Sequence, residues 1–293
     1  MLQWLPWEDA VTMAGATTAT WTATARSRRP WAHRLRPWAQ ELTLVLLLYA
    51  MWQYAGAWSI GRVGSAVTRG RTIWNLERFW HLPDERSVQR AVLHHPELVH
   101  WLNEFYVEVH VPALGACLVW MFVRHRQDYP PVRTVVAIVT GVCLAIQMFP
   151  VAPPRLLPHL GVVDTGALIG PNDYSGGAPG IDQLSAMPSM HVAWALIVGG
   201  TIVWVSHNRY RWLALLYPAL TIMVVVVTGN HYWADAIVAA AICGLAALVV
   251  SRVYGRHRRS LPSGQDDDGP ASTQTDRPNP EAAAVRSVEP AAP

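Results

Sequence analysis

Polar and apolar positions fall into long blocks along this chain, where a soluble protein would show short alternating runs. Residues 42–58 run without a charged side chain, and five further apolar stretches follow at 105–123, 134–150, 191–205, 212–228 and 236–250. Each is near the length an α-helix needs to cross a bilayer, and the shorter ones reach that length by borrowing flanking residues or by lying with little tilt. The pattern predicts an all-α, polytopic membrane helix bundle of about six transmembrane helices. Between the first two blocks, the segment from Gly61 to Asn103 is mixed. Ile73, Leu76, Phe79 and Trp80 recur there at helical spacing among charged residues, which predicts an amphipathic helix at the membrane interface.

Three regions follow. Residues 1–40 carry Trp, Thr and Arg without sustained periodicity and are expected to be a disordered cytoplasmic tail. Residues 41–254 form the membrane-embedded domain. Residues 255–293, rich in Pro, Ala, Ser and Asp, hold too few large apolar side chains to offset the entropy of ordering, and are expected to be a disordered cytoplasmic tail. The first forty residues also lack the apolar core and small-residue cleavage site of a signal peptide, so the first span is expected to remain in the protein.

Composition supports the membrane reading: 52% of residues are hydrophobic and only 15% charged, with 15 Trp against 4 Phe. Indole rings favour the bilayer interface. A net charge of +3 gives no argument for nucleic acid as a partner. Cys117, Cys143 and Cys243 each lie inside an apolar run, with no metal-ligand spacing. The arginines before the first span, between the second and third, between the fourth and fifth, and after the sixth all fall on one side, which marks that side as cytoplasmic. The Arg-bearing segment 61–103 departs from this rule. The long segment from Phe149 to Met190 and the turn at Gly229 and Asn230 then face outward, in a multi-pass protein of the cell membrane.

Ionisable residues at span ends are costly and point to function. His191 lies in the run Pro188, Ser189, Met190, His191, where Pro188 suits a first helical turn and the helix N-terminus offers N–H groups to a phosphate oxygen. His231 and Asp235 are four apart at the start of the last span, so they share a helical face. A carboxylate that fixes one imidazole nitrogen leaves the other free to attack. These groups compose a phosphoryl transfer: His231 attacks phosphorus, His191 protonates the leaving alkoxide as general acid, and Asp235 orients His231. Arg155, in a Pro-rich run, is the candidate phosphate clamp, with Ser189, Asn230 and backbone N–H groups assisting. His110, early in the second span, is expected to be a satisfied structural residue. Asp164, Asp173 and Asp182 are expected to form turns in a Gly-rich outer loop.

The run from Pro188 to His191 resembles the PSxH signature of the type-2 phosphatidic acid phosphatase superfamily, and His231 to Asp235 resembles its HxxxD core. The chain looks closest to the inositol phosphorylceramide synthase branch, in which GNHxxxD and an upstream Pro-rich Arg segment occur, and the likeness runs from about Arg71 to Val250. It implies a metal-independent phosphohistidine mechanism without a cofactor, acting on a lipid phosphate as phosphatase or headgroup phosphotransferase on the extracytoplasmic side. Two departures stand out. The superfamily's SRxxxxxHxxxD is replaced by Val224 to Val227, Thr228, Gly229 and Asn230 before His231, and KxxxxxxRP is absent, with Arg155 as its stand-in. The residues leave two rival readings open: a metal-dependent hydrolase ligated by His191, His231 and Asp235, and a non-enzymatic lipid carrier or haem-bearing bundle. Neither the lipid, the acceptor nor the oligomeric state is legible.

Overall fold

The computed structural model describes residues 6–59, 62–170 and 183–260. The expected turns at Asp173 and Asp182, and the expected disorder of 261–293, lie outside these residues. The fold is a bundle of α-helices; among the described residues the one β-bridge joins Val151 to Ser185. In chain order come α1 (Trp7–Arg26), α2 (Pro30–Ser59), α3 (Val63–Phe79), α4 (Glu85–Leu93), α5 (Pro96–Glu108), α6 (His110–Arg124), α7 (Tyr129–Gln147), α8 (Thr165–Ile169), α9 (Met190–Val205), α10 (Leu216–Val227) and α11 (Trp233–Ser260). Residues up to Gly255 form one compact unit. Of the second, 256–293, only the end of α11 is described.

The N-terminal region differs from expectation. Instead of an irregular tail, α1 packs along α2 through Ala10, Ala14 and Thr24. Its threonines disguise it in sequence, because β-branched hydroxyl residues are mediocre helix formers. Here Thr12, Thr18, Thr20 and Thr24 return their hydroxyls to carbonyls four residues back. Thr43 then donates to Thr17 at 2.8 Å, tying the two helices together.

The apolar blocks lie in helices over most of their length. By length and composition, α7, α11 and the stretch Arg209–Val227 can each cross a membrane, and counting two bent helix pairs as single spans raises the total to five. One of those pairs is α5 and α6, which meet at 48° around Val109. The expected fourth span is α9, whose 16 residues are short of a full crossing. It is a central helix, packed by α6, α7 and α10. Outward side chains such as Val119, Val123, Leu216, Leu245 and Val249 are exposed apolar surface suited to lipid.

The amphipathic segment is two helices and the first turns of a third. On α3, Leu76 and Phe79 face outward, as does Trp80 just beyond it, whereas Ala66, Gly70, Trp74 and Glu77 are buried against protein. That inner face positions the site.

Candidate active site

Three backbone segments meet at one end of the bundle: the Pro-rich run after α7, the stretch before α9, and the turn between α10 and α11. The Val151 amide donates to Leu184 at 2.7 Å, and Ala186 donates back to Val151 at 3.2 Å, so the first two segments are stitched together. Ala152 donates to Ala66 at 3.1 Å and accepts from the Tyr232 hydroxyl at 2.8 Å, which adds α3 and the start of α11. Gly70 permits this approach. A Cβ there would lie 2.6 Å from the Ala152 carbonyl and 2.8 Å from the Tyr232 hydroxyl.

His231 and Asp235 are both buried and touch as their spacing predicts. Nδ1 of His231 lies 3.2 Å from Oδ2 of Asp235 and 2.6 Å from the Ala186 carbonyl. Both neighbours are acceptors, so the proton is held on Nδ1 and the lone pair is left on Nε2. The same carboxylate oxygen accepts from the Tyr232 amide at 2.9 Å. That bond fixes the carboxylate against the first turn of its own helix.

His191 lies in the first turn of α9. Pro188, expected in the first helical turn, lies just outside the helix: Ser189 caps it, accepting from the Val192 amide at 3.3 Å. Pro188 precedes the cap, after a cis peptide bond. The structure brings the two catalytic candidates together, with the rings of His191 and His231 5.9 Å apart between centroids. Tyr106 covers His191 at 4.3 Å, and His110 meets its ring at 4.9 Å with planes nearly perpendicular.

Arg155 is buried beside the turn that delivers His231. Its amide donates to Gly229 at 3.1 Å, its Nε to Oδ1 of Asn230 at 2.8 Å, and its Nη1 to Asp164 at 2.9 Å. Gly229 has φ of 73°, and a Cβ on it would come within 2.9 Å of Val162 Cγ1 and 3.2 Å of Arg155 Cβ. Only glycine fits both demands. Asn230 gives its amide to Thr228 at 2.9 Å. The three residues expected to hold phosphate are thus placed differently from one another: Ser189 is a helix cap, Asn230 steers Arg155, and Arg155 carries the charge. Asp164 caps α8 through the Ala167 amide at 3.0 Å and, beyond its expected turn role, pairs with Arg155.

Sequence reading missed the supports of this arrangement. Glu77 on α3 accepts from the Ala234 amide at 2.7 Å, capping α11 next to Asp235. Gln89 on α4 bridges both backbone groups of Val163 and the carbonyl of Val227, at 2.8–2.9 Å. His110 is not the fully satisfied residue expected: its Nδ1 meets the Tyr106 carbonyl at 3.2 Å, while its buried Nε2 has no partner. The available signal was an ionisable side chain early in a span, four residues after a Tyr. For Glu77 and Gln89 no local signal exists.

Among the described residues, no group of three or more His, Cys, Asp or Glu is arranged to hold a metal ion. No curated protein and no solved structure matches the chain. A family model described as the PAP2 superfamily matches residues 71–249, from the second half of α3 into α11, and includes Glu77, Gln89, Arg155, His191, His231 and Asp235. With 179 of 293 residues inside that match (249 − 71 + 1), the chain belongs to the PAP2 superfamily, a group of phosphatase and phosphotransferase type.

Proposed function

We propose that this protein is an integral membrane lipid phosphate phosphatase or headgroup phosphotransferase that works through a phosphohistidine on His231. The observation that carries this reading is the convergence of His231, its tautomer set by Asp235 and Ala186, on His191 with ring centroids 5.9 Å apart. Reacting atoms in a productive complex sit about 3–3.5 Å apart, so a phosphate ester placed between two such rings can meet a nucleophile on one side and a proton donor on the other.

In the first step Nε2 of His231 bonds to phosphorus as the P–O bond to the lipid alkoxide breaks, and His191 gives that oxygen its proton. In the second, water or an acceptor hydroxyl loses its proton to His191 and takes the phosphoryl group from His231. Arg155 supplies positive charge to the phosphate oxygens. Asn230 and Asp164 hold its guanidinium in one orientation. The chemistry as drawn requires neither metal nor cofactor.

The site sits where α7 and α10 end and α9 and α11 begin. Taking α9 as a short sixth span, this end is the extracytoplasmic side by the arginine distribution. The GNHxxxD pattern and Pro-rich Arg segment favour the inositol phosphorylceramide synthase branch, hence transfer to a hydroxyl acceptor. Purified protein incubated with candidate lipid phosphates, with and without acceptor lipids, tests the assignment. A new phosphodiester supports transfer, release of inorganic phosphate alone supports a phosphatase, and neither product from any lipid phosphate rejects both.

A further inference from the structure

The geometry points to His110 as the positioning residue that keeps the proton on Nδ1 of His191, and with it keeps Nε2 of His191 able to give up its own proton. This inference rests on the phosphohistidine reading above and names a third histidine for it.

Donor and acceptor arithmetic leads there. His110 is 2% exposed and opens α6 at the bend after α5. Its Nδ1 faces the Tyr106 carbonyl at 3.2 Å, and a carbonyl only accepts, so the neutral ring holds its proton on Nδ1 and presents a lone pair at Nε2. That Nε2 is buried and has no partner. His191 has a matching gap: its Nδ1 is also buried without a partner. Two orphaned nitrogens, the one on His110 a lone-pair acceptor, thus lie on rings with centroids 4.9 Å apart and planes at 82°. The inferred contact is an N–H···N hydrogen bond between these two nitrogens, formed when the rings turn toward each other.

The role is specific to one stage of the reaction. A proton donor at the leaving oxygen must be protonated at both nitrogens, and the inner N–H must have an acceptor in a site closed to water. His110 is that acceptor. It retains its own proton on Nδ1 throughout, so no net proton moves onto it. His191 loses its Nε2 proton to the alkoxide and regains one from water or the acceptor hydroxyl. Tyr106, tilted against His191 at 4.3 Å, and Phe105, edge-on to His110 at 5.4 Å, pack against the two rings.

The test exploits leaving groups. Full-length wild-type protein, His110→Phe and His110→Gln are assayed with dioleoyl phosphatidic acid, whose alkoxide needs a proton, and with p-nitrophenyl phosphate, whose phenolate does not. His110→Phe is expected to slow the first step, read as pre-steady-state release of the lipid alcohol from phosphatidic acid, by about 10²-fold while the burst of p-nitrophenolate stays near wild type; the later proton uptake by His191 is common to both substrates and does not enter this comparison. His110→Gln, which restores an acceptor, recovers most of the loss. An equal loss on both substrates, or none on either, overturns the role of His110 while leaving phosphoryl transfer standing. Where the wild-type protein turns over neither ester, the same variants are compared on the lipid phosphate that gives a product in the assay above; an unchanged kcat there overturns the role of His110, and no product from any lipid phosphate overturns the phosphohistidine reading as well. Should the variants fail to fold, ¹⁵N-histidine spectra of the wild-type protein decide: a ring protonated on Nδ1 with a hydrogen-bonded Nε2 is expected for His110, and protonation on Nε2 overturns the inference.

Discussion

Oε1 of Glu77 accepts the backbone N–H of Ala234 at 2.7 Å, joining α3 to the first turn of α11 across 157 residues of chain. Both partners are buried. A helix begins with N–H groups that its own backbone cannot satisfy, and here a distant carboxyl oxygen serves one of them directly beside Asp235. Glu77→Ala leaves that donor buried and unpaired, with an expected stability loss of about 1–3 kcal/mol and a fall in activity as Asp235 shifts. Glu77→Gln keeps an acceptor and is expected to retain more of both. Thermal unfolding in detergent, run beside the activity assay, checks the order wild type, Gln, Ala.

The carboxylate of Asp235 serves two donors through one oxygen, the His231 ring and the Tyr232 amide. Asp235→Asn keeps an oxygen for these two donors but removes the negative charge that stabilises the His231 ring as it bonds to phosphorus. The expected result is a drop in kcat of about 10²–10⁴-fold with KM little changed and the melting temperature near wild type. A variant retaining full kcat would show that this charge is not needed.

Arg155 uses two different nitrogens on two different partners. A lysine ammonium cannot reproduce that planar fork. Arg155→Lys is therefore expected to raise KM and lower kcat, together costing about 10–10²-fold in kcat/KM for a phosphate ester. Steady-state kinetics on the same ester provide the measure, and unchanged kcat/KM would remove Arg155 from phosphate binding.

Asp84 caps α4, the helix whose Gln89 braces the site. Burial opposes its ionisation, but hydrogen bonds from the Arg86 side chain and backbone, with the charges of Arg86 and Arg78, hold the carboxyl below its ordinary range. A depressed carboxyl stabilises the fold above its unfolded pKa of about 3.9 and loses that contribution as pH falls through the folded value. Asp84→Ala is expected to lower stability by about 1 kcal/mol at neutral pH, and the gap to wild type should close in strong acid. Unfolding curves across pH 2–7 check the sign.

Local periodicity made much of the bundle legible. The apolar blocks became helices, and the i, i+4 spacing of His231 and Asp235 became a contact, because both depend on residues within a turn or two. Two kinds of feature stayed hidden. α1 went unread because its threonines satisfy themselves against their own helix, which composition does not reveal. Glu77 and Gln89 went unread because their partners lie 157 and up to 138 residues away. A charged residue in an amphipathic segment looks solvated until the tertiary fold turns it inward. For Asn230 the structure adds a contact the sequence did not show: its Oδ1 accepts from Arg155.

The central claim is a covalent phosphate on one nitrogen. Rapid mixing of the purified protein with a lipid phosphate ester, quenching in alkali, where phosphohistidine survives, and mapping the phosphate by mass spectrometry tests it most directly. The account predicts a transient phosphate on His231, absent from His231→Ala. Undiminished turnover in His231→Ala, or a phosphate found on a different residue, would contradict it.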